Sequence, residues 1–344
     1  MKVLIITENF FAGYGGPYYA IGNKLIYLLK NKIDFKLVYK STDNFNYKLD
    51  LDEIVDDYDI VHIYGIWKPF YYRVFYCAKK KNKKIIISPL GALEPWSLSQ
   101  KKIKKILALW LYQKRILNNS NHIHATSEIE KKNIEALGIK TKITVIPHGI
   151  EILDKKEKKN DPNGLKRAIF FSRIHEKKGL LELVEAWSEL NLSQWILDIY
   201  GPVSNQKYLK IVISKIQQLN LEKKIKIHNA EYDKNKKEKI FKTSDCFILP
   251  SKSENFGISI GEALAHGLPV ITTPETPWSE INNYKAGIVY NIEKDNLIEV
   301  LKSFLSKSDN EYYNMGLNGQ RLIKEKFNND IIIKKYINLY QNQI

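Results

Sequence analysis

Short apolar runs alternate with amphipathic segments along nearly the whole chain, and the series restarts once near the middle. Strands and helices that alternate in this way build parallel sheets covered by helices, so the pattern constrains the fold to the α/β class. The first series predicts strands at Val3–Thr7, Phe35–Tyr39, Ile60–Tyr64, Ile85–Ser88, His122–Thr126 and Thr144–Ile146. The second predicts Ala168–Ser172, Trp195–Tyr200, Ile225–His228, Cys246–Leu249 and Val270–Thr272. Between them, Glu151–Gly164 is charged and carries Pro162 and Gly164, which reads as an interdomain linker. A chain of 344 residues is also too long for one comfortable core. Two Rossmann-like domains, residues 1–160 and 161–328, are the simplest account. Apolar residues at helical spacing (Ile332, Ile333, Tyr336, Ile337, Tyr340) predict a terminal helix over 329–344.

Several function classes are disfavoured at once. Cys77 and Cys246, far apart and each in an apolar stretch, build neither a disulfide framework nor a cysteine zinc site. The first apolar run meets Glu8 too soon for a signal-peptide core, and no apolar stretch is long enough to span a bilayer. A cytoplasmic protein is expected, with attachment to the inner face of the plasma membrane as a further option. The net charge of +16 is compatible with nucleic acid, an anionic membrane or phosphorylated substrates, and equally with the Lys/Asn/Ile bias of an AT-rich genome. Most of the excess lies in the first domain, at Lys79–Lys84, Lys101–Lys105, Lys114 and Arg115. The 101–117 stretch interleaves these lysines with Ile103, Ile106, Leu107, Leu109, Trp110, Leu111 and Tyr112. It fits a helix lying on an anionic membrane, or a core-facing helix with a lysine-rich outer face. No nucleic-acid-binding motif accompanies the charge.

In open parallel sheets ligands bind beyond the carboxyl ends of the strands, and three loops there carry chemistry-bearing residues. The loop after the first strand holds Gly13, Gly15 and Gly16 before Pro17, which permits close backbone approach to a ligand or simply a tight turn; it is not GxGxxG. The loop Phe171-Ser-Arg173-Ile-His-Glu-Lys-Lys178-Gly179 places two cations at a helix start, against the dipole. A diphosphate lying between them would resolve that conflict; a solvated loop would have the same composition. Glu254 lies in the loop Pro250–Gly257 and Glu262 on the helix Ile258–His266, which Gly267 ends. Carboxylates can clamp vicinal sugar hydroxyls, although an isolated loop acid or helix acid needs no such role. Ser127-x-x-Glu130 predicts a capping box just after His124.

The segment Glu254-Asn-Phe-Gly-Ile-Ser-Ile-Gly-Glu262 resembles the E-x7-E motif of the retaining, GT-B-fold glycosyltransferases of family 4. The resemblance covers nearly the whole chain in order. Phe171–Gly179 is similar to that family's Arg-x4-Lys-Gly element, and Val145-Ile-Pro-His-Gly-Ile150 to its interdomain segment, where Asn is more usual than His148. Pro89–Trp96 and His124–Glu128 resemble bacterial polysaccharide members, in which Arg is common at the place of Leu90, so no acceptor contact is carried over through Leu90.

The resemblance implies a GT-B fold, its two Rossmann-like domains facing each other across a cleft. The terminal helix would pack back toward the first domain, which would bind the acceptor. It implies a UDP- or GDP-sugar donor and a glycan or lipid-linked acceptor, as in O-antigen, capsule or exopolysaccharide synthesis. No cofactor, no metal and no nucleic-acid partner are expected. Gly15 and Gly16 would approach the donor, and Arg173 and Lys178 would neutralise its diphosphate. Glu254 and the backbone of Asn255, Phe256, Gly257 and Ile258 would hold the sugar, Glu262 the ribose, and His124 would sit near the sugar C6 group. A phosphorylase or epimerase on the same fold, or a catalytically silent sugar-nucleotide-binding or basic interaction protein, are the alternatives.

Overall fold

The computed structural model describes residues 1–8, 10, 18, 21–22, 26–28, 33–39, 51–153, 164–190 and 192–343. The chain divides into two compact units, Met1–Gly149 with Asn329–Ile344, and Ile150–Asn328. The expected boundary near 160 falls later than this. Ile150 already belongs to the second unit, where its N–H donates to the Phe327 carbonyl (2.7 Å) and it bridges Asn328. Residues 154–163, most of the charged stretch, lie outside the described residues.

The first unit is built on β1 (Lys2–Thr7), β2 (Asp34–Tyr39), β3 (Ile60–Tyr64), β4 (Lys84–Ser88), β5 (His122–Ala125) and β6 (Ile143–Val145). All pair in parallel in the order β2-β1-β3-β4-β5-β6. Val3–Ile6 and Ile60–Tyr64 are buried on both faces, which is why these strands read as unbroken apolar runs. The Asn329–Gln341 helix belongs to this unit. Its Ile332, Ile333, Tyr336, Leu339 and Tyr340 share a core with Val3, Ile5 and Ile86.

The second unit carries β7 (Lys166–Phe171), β8 (Trp195–Tyr200), β9 (Ile225–His228), β10 (Cys246–Leu249), β11 (Val270–Thr272) and β12 (Gly287–Val289). The order is β12-β11-β10-β7-β8-β9, again all parallel. This is the doubly wound arrangement, and its direction reverses between the neighbours β7 and β10. The carboxyl ends of those two strands form the topological switch point. The Arg173–Lys178 loop follows β7 and the Glu254 loop follows β10.

Local details depart from expectation in two places. The basic 101–117 stretch is helical, Lys102–Ala108 and Lys114–Asn118, but is interrupted by a π turn at Leu109–Gln113. Ser127 caps its helix by accepting the Glu130 N–H (3.0 Å), yet the Glu130 carboxylate does not complete the box. It turns inward to accept from Gly91 N–H (2.6 Å), Thr126 N–H (2.7 Å) and the Thr126 hydroxyl (2.9 Å), tying the loops after β4 and β5 together. Burial pushes its pKa up, and these donors partly offset that.

Candidate active site

The two switch-point loops are held backbone to backbone. Gly179 adopts φ +68° as the cap of the helix Leu180–Ser188, and a Cβ there would collide with the Pro250 carbonyl. Lys252 N–H donates to the Lys177 carbonyl (2.7 Å), as does the Ser251 hydroxyl (3.2 Å). This close approach brings the Lys178 ammonium into an ion pair with the Glu254 carboxylate. Lys178 is 3% exposed. Burial lowers its pKa to about 8, a shift that Glu254 opposes and neighbouring Lys177 and Arg173 reinforce. Arg173 itself is exposed on the same loop. His175 caps the short turn Glu176–Lys178 by accepting the Lys177 N–H (3.2 Å). Burial, then the Arg173 cation, lowers its pKa. Positive charge is therefore concentrated at the helix start after β7, with the part-buried Glu254 carboxylate against it.

On the β10 side, Asn255, Phe256 and Gly257 lead into the helix Ile258–Ala265. Gly257 is its cap at φ +76° with no side-chain cap, so the first N–H groups of the helix are left to whatever lies before them. Trp278 fixes the approach. Its indole N–H donates to the Phe256 carbonyl (2.5 Å), and its ring packs on Phe256 with centroids 5.2 Å apart. A Cβ on Gly261 would press on Trp278 (2.9 Å), so Gly is needed at that turn of the helix. Glu262, further along the helix, pairs with Lys237 (2.6 Å), whose ammonium lies 5.2 Å from the centre of the Phe171 ring. That ring ends β7, so Lys237 ties the second motif glutamate back to the switch point.

The structure thus joins Lys178 to Glu254 directly and ranges Arg173, Asn255–Ile258 and Glu262 on the loops and helix around them. His124 belongs to the first unit and is buried at 0% exposure. Its Nε2 lies 2.8 Å from the Ile146 carbonyl and its Nδ1 2.6 Å from the Ser88 hydroxyl. Because the carbonyl can only accept, Nε2 carries the proton and Nδ1 accepts from Ser88. Ser88 then accepts from His62 Nε2 (2.7 Å), and the Tyr340 hydroxyl donates to His62 Nδ1 (2.8 Å). Both His124 nitrogens are engaged inside this ordered chain. Gly15 and Gly16 lie outside the described residues.

Sequence reasoning missed Lys237 and Trp278. Lys237 was hidden in the basic helix Lys234–Lys242, where it looks like one more solvated lysine. Trp278 had a signal, being a tryptophan in a polar Thr-Pro-Trp-Ser turn, where an indole needs a reason to be buried. No group of three or more His, Cys, Asp or Glu side chains placed to hold a metal occurs among the described residues.

Two six-stranded parallel sheets with flanking helices, the second bearing this site at its switch point, define the GT-B class of fold. The chain belongs to the glycosyl transferases group 1 family, whose model matches residues 151–322, and the model for Glycosyltransferase Family 4 matches residues 31–152. It is similar to an uncharacterized 41.2 kDa protein in the cps region of Klebsiella pneumoniae, at 25% identity over 300 residues, 83% of this chain and 79% of that one. Among solved structures, HepE of Anabaena in complex with UDP and glucose has TM-score 0.78 at 16% identity, over 99% of this chain and 100% of that one. Sucrose-phosphate synthase from Thermosynechococcus elongatus has TM-score 0.77 at 16% identity, over 99% and 98% respectively.

Proposed function

We propose that the protein is a retaining glycosyltransferase that moves a sugar from a UDP- or GDP-sugar to a glycan or lipid-linked acceptor in bacterial surface polysaccharide synthesis. The observation that carries this reading is the pair of buried Lys178 and part-buried Glu254 at the switch point, flanked by Arg173 and the uncapped helix start after Gly257. The cps-region relative supports the polysaccharide setting, and the UDP and glucose held by HepE support the donor class. Breaking the anomeric bond leaves negative charge on the diphosphate and an oxocarbenium-like sugar. By this account Lys178, Arg173 and the helix N–H groups face the negative charge as it develops and stabilise the transition state electrostatically. In this reading they take the place of a metal. Glu254 and Glu262 accept hydroxyl hydrogens from the transferred sugar and the ribose. Retention follows from front-face substitution, with the leaving phosphate taking the acceptor's proton, so Glu254 is no nucleophile.

Thermal shift with UDP, GDP and ADP tests the reading. A nucleotide at a hundred times its Kd stabilises the fold by about 2.7 kcal/mol. One of the three raises Tm, and a mass-spectrometric screen of nucleotide-sugars with that base then identifies the donor. If none of the three stabilises the protein, the reading fails. If one binds but no sugar is transferred to any acceptor offered, the silent binding protein is the better account.

The pH dependence has a definite sign. The cationic form of Lys178 binds the diphosphate, and in the free protein it loses its proton near pH 8. Nucleoside diphosphate affinity is level below that pH and weakens by up to about tenfold per unit above it, with uptake of a proton on binding. Calorimetry at pH 7, 8 and 9 in buffers of different ionisation enthalpy measures both. Affinity constant to pH 10 would show that Lys178 does not contact the diphosphate.

A further inference from the structure

Among the described residues, the most exposed apolar surface of the first unit lies far along the chain from the switch-point loops. Ile103, Ile106, Leu107, Trp110 and Leu111 fall at i, i+3, i+4, i+7 and i+8 of the basic helical segment, the stripe that ordinarily faces a core. Here it faces outward: Ile103 is 76% exposed, Trp110 80% and Leu111 65%. The opposite side explains the inversion. Gln113 is buried and its Oε1 accepts the Trp67 N–H (3.1 Å), while the Tyr112 hydroxyl donates to the Trp67 carbonyl (3.0 Å). The π turn lets these two consecutive residues clasp the backbone of Trp67 on both sides, and Ile116 and Leu117 continue the inward face. A core-facing stripe is therefore not what this segment provides.

The charge around the stripe selects its occupant. Lys101, Lys102 and Lys104 are exposed beside it, Lys114 and Arg115 follow, and no acidic residue lies between Glu94 and Glu128. Exposed Tyr72 and Tyr76, with ring centroids 4.5 Å apart, extend the surface, and Tyr72 stands edge-on to Tyr112 at 6.0 Å. Beyond them Lys79 reaches the Asn119 carbonyl (3.2 Å), which joins the Lys79–Lys84 run to the same end of the segment. We propose that this face docks the protein on an anionic lipid surface, with Ile103, Leu107, Trp110 and Leu111 entering the headgroup region and the lysines pairing with lipid phosphates. Apolar residues flanked by lysine, with aromatic rings at the margin, match the layered polarity of such an interface. A second copy of the chain fits less well, because a symmetric contact would set the same lysines against themselves. The inference does not depend on which sugar or nucleotide the protein uses.

Sedimentation of the full chain with phosphatidylglycerol-containing vesicles at low salt, against pure phosphatidylcholine vesicles, tests it. The wild type binds the anionic vesicles, and binding falls as salt is raised. W110S/L111S, at two exposed positions, reduces the partition constant at least tenfold while leaving Tm and nucleotide-induced stabilisation unchanged. K101Q/K102Q/K104Q weakens binding at low salt and flattens its dependence on salt, because fewer lysine–phosphate contacts are left to screen. Wild-type protein that ignores anionic vesicles at low salt overturns the proposal, as does W110S/L111S that binds as well as wild type. A concentration-dependent dimer that W110S/L111S converts to monomer, without vesicle binding by either, would assign the face to a second copy instead.

Discussion

Glu254→Gln is expected to lower turnover by about a hundred- to a thousandfold, the scale of removing one preorganised transition-state contact, while nucleoside diphosphate still binds. Glutamine has nearly the shape of glutamate, and its carbonyl oxygen can still accept from the Lys178 ammonium, so the loop after β10 should keep its course. What it loses is the second acceptor oxygen and the negative charge. A carboxylate can hold two vicinal hydroxyls and favours the positive charge that builds on the sugar; an amide does neither well. The diphosphate sees the change only through Lys178, which loses the partner that raises its pKa. The pH above which nucleotide affinity declines should therefore move below about 8 in the variant. Steady-state kinetics with the true donor, together with nucleotide calorimetry at pH 7, separate the two effects. Full activity of Glu254→Gln would remove Glu254 from the sugar site. A parallel loss of nucleotide affinity and turnover would make it a support for Lys178 and nothing more.

The strand order explains why so much of the second unit was legible before the structure. β10 is wholly buried and β7 is buried over Ala168–Phe170, each with an unbroken apolar run, so each is specified by its own sequence, and the switch between them follows from the doubly wound pattern. Motif loops then fall where strands end. β12 was missed for the complementary reason. Gly287–Val289 is a three-residue edge strand whose conformation comes from pairing with β11, with Lys285 turning the chain at φ +56° just before it. Side-chain partnerships across the sheet were not legible at all. Lys237 and Glu262 meet only because one helix follows β9 and the other follows β10, and spacing in sequence carries no trace of it. His124 shows the same limit: its place on β5 follows from the strand pattern, whereas its hydrogen bonds to Ser88 and the Ile146 carbonyl, on β4 and just past β6, have no trace in the spacing. The π turn at Leu109–Gln113 had no sequence signal, since it answers to Trp67 on a different loop.

Lys178→Ala should be the most damaging single change, because it strikes the site and the fold together. At pH 7 the lysine is charged, its folded pKa being about 8, and the ion pair with Glu254 is intact. Removing the cation leaves a carboxylate with an 11% exposed side chain stripped of its ion-pair partner, next to the tightly apposed Gly179 and Pro250 backbones. Breaking a fully buried pair costs about 3–5 kcal/mol, which is the upper end for this part-buried one. Urea denaturation at pH 7 should show it as a fall in midpoint at constant slope. Lys178→Met with Glu254→Gln should be much less destabilised than the sum of the single changes, since no unpaired charge remains. Activity does not recover with stability in that double variant. Losing a charged contact to phosphate weakens nucleotide binding by about ten- to a hundredfold, and the transition state, which carries more charge on the leaving diphosphate, loses more than the ground state. The contrast with wild type should also fade with pH. Above pH 8 the wild-type lysine sheds its proton, so the affinities of wild type and Lys178→Ala for the same nucleotide converge by pH 10. If the gap between them stays constant from pH 7 to 10, Lys178 acts by shape and not by charge, and diphosphate neutralisation must rest on Arg173 and the helix start alone.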